Sequence, residues 1–395
     1  MTFKKRHWID FFTKLKQTMK KYLPGRLALA LAFVLIGTTA YAQNTITTPQ
    51  AASPAAEVSQ TIGISKITIN YSRPAVNNRE GRIWGQIVPY GFTVQGFGNG
   101  KEIPWRAGAN ENTVITFSHD IKVEGKDLKA GSYGLHIAYF ENGEAEIIFS
   151  NNTSSWGSYW YEASEDALRV KVQSTDNSMT ERLTYDFIDI TPTSAVAVLD
   201  WEKKRIPFKV EFAVHDIVVQ NAKDMLRGPT GFGFQGPLSA AQYCVNNNVH
   251  LDQALIWADQ AVNGTKNATT LNVKGSVLFA LERNEEAYAI MAEMVDHPTV
   301  QPNNVYAYGN QLISLEEDEK ALEVFKKMYK KWDSNFFAQH GMARAYSANG
   351  DFKKAVKYEK ECLANPNLPA NNKPVLEGFL KRLEAGEDIT APTAN

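Results

Sequence analysis

From Ile62 onward the chain alternates apolar and polar positions in short runs, the period-two pattern of half-buried strands. ITINY (67–71), TVITFS (113–118), YGLHIAYF (133–140), EAEIIFS (144–150), LRVKVQ (168–173), RLTYDFIDI (182–190), AVAVLDW (195–201) and IPFKVEFAV (206–214) all read as strands. Turn residues separate them, among them Asn142-Gly143, the favoured pair for a two-residue hairpin loop. Short strands with no helical crossover between them predict an all-β, sandwich-like N-terminal domain over 58–215. The stretch between Tyr71 and Trp105 breaks the pattern. Its Gly and Pro density argues against strands, and its aromatic residues predict a packed loop in place of a disordered one.

After His215 the period changes. Residues 216–236 read as a junction, closed by the glycine- and proline-rich RGPTGFGFQGP (227–237). Beyond it LDQALIWADQAV, NEEAYAIMAEMV, DEKALEVFKKMY and DFKKAVKYEKECL align on Ala254, Ala287, Ala321 and Ala355, at spacings of 33, 34 and 34 residues. Twelve positions upstream, the last three repeats carry Gly275, Gly309 and Ala343, small residues that let paired helices approach. This is the tetratricopeptide period. It predicts helix pairs over 237–263, 269–297, 303–332 and 335–365, closed by a helix from Pro374 to Ala385. Together they make an all-α tetratricopeptide-type solenoid over 237–390. Stacked repeats expose an extended surface, so the expected partner is a protein or peptide. Cys244 and Cys362 fall in the first and last helix pairs, too far apart to bridge, and read as buried thiols.

The N-terminus reads as a signal peptide over 1–42. Lys20, Lys21 and Arg26 precede an apolar run from Leu27 to Ile36, and Ala40-Tyr41-Ala42 is a small-x-small cleavage site. Met19 offers an alternative start. The apolar run is too short to cross a bilayer, which takes about 20 residues, so no stable membrane span is expected after cleavage. The mature chain is therefore expected outside the cytoplasm, periplasmic or secreted. Residues 43–57 are small, polar and Pro-containing, a flexible linker. Charge changes the picture at this point. The whole chain carries a formal −1, but residues 1–42 hold eight basic residues and one acidic one, leaving −8 behind. Nothing in that acidic remainder favours nucleic acid as a partner.

Candidate chemistry concentrates in WRAGANENT, Trp105 to Thr113. Arg106 offers a planar guanidinium for a carboxylate or phosphate, and Asn110 and Glu111 offer acceptors for hydroxyls. Trp84 and Trp105 are suited to stacking on a sugar ring. With Arg73 and His136 they form the expected ligand-binding set for a small polar or glycan-like molecule. Two other readings stay open. Arg73, Arg106 and Glu111 also fit a buried ion-pair network pinning the long loop. An envelope hydrolase would use Glu111 or His136 as acid or base. Alternation sets His136 with Gly134, Ala138 and Phe140, opposite Leu135, Ile137 and Tyr139. No zinc-ligand spacing or nucleophile motif occurs, and no cofactor or metal is expected. GFGNG (96–100) lacks the helix and Lys-Ser/Thr pair of a phosphate loop. NNTSSWGSYWY (151–161) reads either as a groove-lining loop or as an aromatic-capped hairpin.

YSRPAV (71–76), IWGQIVPYG (83–91), WRAGANENTVITFS (105–118), LKAGSYGLH (128–136), DALRVKV (166–172), LTYDF (183–187) and WEKKRIPFKV (201–210) occur in an order that resembles the bacterial extracytoplasmic family known as domain of unknown function 2911. The resemblance covers about residues 53–213. It implies the fold unit and carries no established activity. One departure lies beside the candidate site: Thr93 to Pro104 is an insertion between the PYG and WR motifs, where it can alter the ligand.

Overall fold

The computed structural model describes residues 52–391. The signal segment and most of the expected linker lie outside the described residues. Strands are numbered in chain order. The larger sheet contains β1 (Ala55–Ile62), β2 (Ser65–Ser72), β5 (Thr113–Phe117), β8 (Gly131–Tyr139), β9 (Glu144–Ser150) and β10 (Asp166–Gln173), in the order β1-β2-β5-β8-β9-β10. The smaller sheet runs β11 (Thr175–Ile188), β12 (Ser194–Phe212), β6 (Ile121–Val123), β7 (Lys126–Leu128). Pairings in both sheets are antiparallel. The inward positions of each sheet meet in one core. Ile69, Ile115, Leu135, Ile137 and Phe149 come from one side and Leu183, Tyr185, Leu199, Trp201 and Phe208 from the other. Phe149 and Phe208 touch across the layers, with ring centroids 6.0 Å apart.

Three differences from the sequence reading have local causes. β1 starts at Ala55, inside the stretch expected as linker, and pairs with β2 along its whole length through a hairpin at Gly63-Ile64. Gly63 supplies the turn with φ 58°, which a non-glycine residue adopts only under strain. The runs at 195–201 and 206–214 are one 19-residue strand, β12. Glu202 takes φ 52°, and the pairing shifts register on both sides of it because β11 carries the extra residues, so β12 runs through the Lys-Lys-Arg stretch without turning back. The long loop, where strands were not expected, carries a two-residue ribbon of β3 (Thr93–Val94) and β4 (Glu102–Ile103). That ribbon is the insertion itself.

The expected junction begins with a helix, α1 (Val214–Met225). Val214 joins the sandwich core and Val219 joins the first helical cluster, so one short amphipathic segment packs on both sides. His215 Nδ1 lies 2.9 Å from the Tyr243 hydroxyl, and His250 Nε2 lies 2.6 Å from Asp216 Oδ1. The solenoid follows as α2 (Gln235–Asn247) with α3 (Leu251–Gly264), α4 (Ala268–Ala280) with α5 (Asn284–Asp296), α6 (Pro302–Ser314) with α7 (Asp318–Lys331), and α8 (Phe336–Ala348) with α9 (Phe352–Leu363). α10 (Lys373–Glu384) closes the stack.

Ala254, Ala287, Ala321 and Ala355 are all fully buried, as a helix-contact position requires. The small residues upstream act as inferred from the repeat. A Cβ at Gly275 would overlap the Met291 side chain, and one at Gly309 would overlap the Phe325 ring. The same ring also abuts Gly341 on α8. Cys244 and Cys362 are free and buried. Among the described residues no helix is long and apolar enough to cross a membrane.

Candidate functional site

β5 ends its pairing with β8 at Thr113, opposite Leu135. Two residues further along β8, Ile137 is paired by Trp105 through N–H···O bonds of 3.0 and 2.8 Å. Trp105 and Thr113 thus take successive places beside the same strand. Residues 106–112 form an excursion between them. Its shape is set by backbone that most residues avoid: Ala107 has φ 51° and Asn110 φ 59°. Hydrogen bonds hold it there. The Ala107 carbonyl accepts from Thr113 Oγ1 at 3.1 Å and from the Tyr185 hydroxyl at 2.9 Å. Trp105 Nε1 donates to the Gly108 carbonyl at 3.2 Å. A Cβ on Gly108 would come within 2.6 Å of Thr113 Oγ1, so the close approach requires glycine.

Arg106 leaves this loop and is clamped from two sides. Its guanidinium lies over the Tyr159 ring, 4.7 Å from the centroid, a cation–π contact. The Gly157 backbone presses against it, and any side chain at 157 would strike the guanidinium. Nη1 donates to the Asn110 carbonyl.

A cleft of about 660 Å³ opens here. Its wall takes Trp105, Arg106 and Asn110 from WRAGANENT, and Ser158 and Tyr159 from the aromatic loop. Asn77, Arg79 and Gln95 of the long loop and Trp201 of β12 complete the polar and aromatic lining. Trp201 is 1% exposed, stacks on Trp105 at 5.9 Å, and buries its indole N–H with no acceptor among the described residues.

The expected set divides. Trp105, Arg106 and Asn110 converge on the cleft. Trp84, Arg73, Glu111 and His136 do not form its wall. Trp84 lies behind it, 5.8 Å from Trp105 and 6.1 Å from Trp201. Arg73 holds the loop to β11, donating to the Leu183 carbonyl at 2.9 Å and to Thr184 Oγ1 at 2.6 Å. Glu111 is exposed at the rim of the excursion. Neither Arg73 nor Arg106 forms an ion pair among the described residues, so the ion-pair network is not the arrangement found. Arg79, Trp201, Asn77 and Gln95 were missed. Arg79 sits in the uninterpreted loop, and Trp201 reads as one more inward strand residue. Arg79 donates to the Val76 and Ala75 carbonyls at 2.8 and 2.7 Å.

His136 lies on the outer face of the larger sheet, opposite Leu135, Ile137 and Tyr139, in the register expected. That face is not open. Ile103 of the insertion, Ile148 and Tyr161 form a second small core over it, leaving His136 3% exposed. Nδ1 lies 2.8 Å from Ser158 Oγ, and the ring is 5.4 Å from Tyr161. Burial, then the positive charge of Arg106, push the imidazole down from 6.5 to about 4. The folded state therefore binds fewer protons than the unfolded state between those values, and stability falls as pH drops through that window. Denaturant titrations at pH 7 and pH 4.5 are expected to differ by roughly 2–3 kcal/mol from this group alone, using about 1.4 kcal/mol per unit. His136→Gln is expected to remove that part of the pH dependence. An unchanged pH profile in the variant would contradict this assignment.

Residues 53–210 match the model of a family described as a protein of unknown function, DUF2911. The resemblance drawn from the motifs holds for this segment. No curated protein matches the chain. Among solved structures, the chain is similar to MamA at 21% identity, over 38% of this chain and 88% of that one, with a TM-score of 0.32. It is similar to YrrB, described as a TPR protein with an unusual peptide-binding site, at 17% identity over 42% and 85%, TM-score 0.29. It is also similar to MamA from Desulfovibrio magneticus RS-1, at 13% identity over 40% and 95%, TM-score 0.29.

Proposed function

We propose that the protein is an exported binding protein. In this reading the sandwich cleft takes a small polar, glycan-like ligand and the solenoid docks a protein or peptide. The observation that carries the first half is Arg106. It is fixed on the cleft wall by Tyr159 and Gly157, yet it has no ion-pair partner among the described residues. A guanidinium has five N–H donors, and one is used among the described residues. A charge held so firmly without a counter-charge is arranged for something that arrives. No observation favours a hydrolase built on Glu111 and His136. His136 is sealed behind Ser158 as a poor base, and Glu111 lies outside the wall.

The second half rests on a row in the helical repeats. One position after each small residue stand Ser276, Asn310 and Arg344, on α4, α6 and α8. Arg344 Nε donates to Asn310 Oδ1 at 2.7 Å, linking adjacent repeats. A polar row crossing successive repeats suits an extended chain laid along the stack. A displayed peptide library panned on the full chain is expected to enrich binders that Arg344→Glu weakens by about tenfold, the worth of one charged hydrogen bond. No enrichment, or equal binding to the variant, would count against the row.

Export rests on the charged and apolar pattern of residues 20–42. Mass spectrometry of the protein from its native host is expected to find a mature N-terminus at Gln43. An intact N-terminus would contradict export with cleavage.

A further inference from the structure

We infer that the cleft selects a carboxylate-bearing sugar, an acidic glycan unit in place of a neutral one. The inference rests on the binding reading above and sharpens it. Its basis is the charge of the wall. Arg79 and Arg106 both line the cleft, and among the described residues no Asp, Glu or Lys does. Neither arginine forms an ion pair among the described residues. Beyond residue 42 the chain carries a formal −8, so two arginines without an ion pair among the described residues, in one concavity of about 660 Å³, run against its average charge.

The form of the cations narrows the anion. Each guanidinium is oriented by backbone carbonyls: Arg106 by Asn110, and Arg79 by Val76 and Ala75. An oriented planar fork matches a planar carboxylate in two-point contact. A guanidinium fork also meets phosphate, but no helix N-terminus, the other common element of a phosphate site, lines this wall among the described residues.

The rest of the wall describes the body that carries the charge. Asn77 and Gln95 supply amides, each both donor and acceptor, which suits a ring of hydroxyls, while the Asn110 amide donates to the Ser53 carbonyl at 3.1 Å. The Trp105–Trp201 stack supplies an apolar surface, and the buried Trp201 indole N–H has no acceptor among the described residues. Beside Tyr159 the insertion raises Phe97, 62% exposed and 5.5 Å from Trp160, itself 45% exposed. Aromatic faces left in water beside a polar cleft suit the apolar faces of further sugar units. The segment that departs from the family pattern thereby extends the site.

Isothermal titration of the full chain tests this with three probes: trigalacturonic acid, its methyl ester, and a neutral-bodied tripeptide of alanine with a free C-terminal carboxylate. The acid is expected to bind at least about tenfold more tightly than the ester. Arg79→Gln and Arg106→Gln are each expected to lose about tenfold for the acid and distinctly less for the ester. Arg106→Lys, which keeps the charge and loses the fork, is expected to fall between. Near-UV circular dichroism of each variant checks that the clamp around residue 106 still folds, and Arg79→Gln tests the claim if it does not. Equal binding of acid and ester overturns the charge inference and leaves the ligand reading standing. Tighter binding of the tripeptide overturns the sugar assignment. Binding of none of the three overturns both readings.

Discussion

Phe325→Ala is expected to cost about 3–5 kcal/mol and to unfold the helical half at denaturant concentrations where the sandwich stays intact. Phe325 is fully buried on α7, and its ring fills the space that two glycines leave open, Gly309 on α6 and Gly341 on α8. Three helices from two repeats therefore meet at one side chain. Removing it leaves a hole that rigid helices cannot close, which is the expensive case for a large-to-small change. The converse change is expected to fail for the opposite reason. Gly341→Ala puts a methyl into the ring and is expected to cost about 1–3 kcal/mol. Combined with Phe325→Ala, the same methyl has room, so the two costs are not expected to add. Helical circular dichroism against denaturant measures all three variants. Additive costs would mean that the ring and the glycine do not share a site.

Trp201→Ala is expected to cost the sandwich about 3–5 kcal/mol and to abolish ligand binding at the cleft. Trp201 stands where core and cleft meet. It stacks on Trp105 at an interplanar angle of 18° and meets Trp84 edge-on at 73°. Trp105 in turn carries the backbone bridge to Ile137 from which the 106–112 excursion hangs. Trp201→Phe keeps most of the apolar volume and is expected to retain the fold with weakened binding. Denaturation followed by near-UV signal, together with titration of both variants, separates the two effects. Unchanged binding in a folded Trp201→Phe would leave Trp201 as core alone.

The helical repeats were legible in the sequence because their cause is local and repeats. One helix-contact position recurs every 33 or 34 residues, and the outer bounds of each helix pair and of the closing helix fall within two residues of their expected places, whereas α1 was not expected. The sandwich was legible as alternation, and less so where alternation stops carrying the information. Three-residue strands such as β6 and β7 are too short to show a period. β12 runs unbroken through a charged stretch opposite the bulged β11, which alternation alone reads as a break.

The site was half legible. Trp105, Arg106 and Asn110 stood out because chemically specific residues crowd a small-residue stretch. His136 was placed on the correct face, but its burial depends on a covering layer from residues 103 and 161, far away in sequence. Arg79 and Trp201 became wall residues through tertiary approach, which no local pattern encodes. Arg73 resembled Arg106 in type and nearness, and only its partners, Leu183 and Thr184, separate a fastening from an open cation.

The central claim is that the 105–110 loop and Trp201 form one ligand-receiving wall. The most direct measurement follows the tryptophan indole ¹⁵N–¹H resonances of the full chain during titration with carboxylated and neutral oligosaccharides. Assignment comes from single Trp→Phe variants. Saturable shifts of the Trp105 and Trp201 resonances are expected, with Trp257 and Trp332 of the solenoid unmoved as internal controls. Shifts confined to the exposed Trp156 and Trp160, or no shift with any of the sugars, would contradict it.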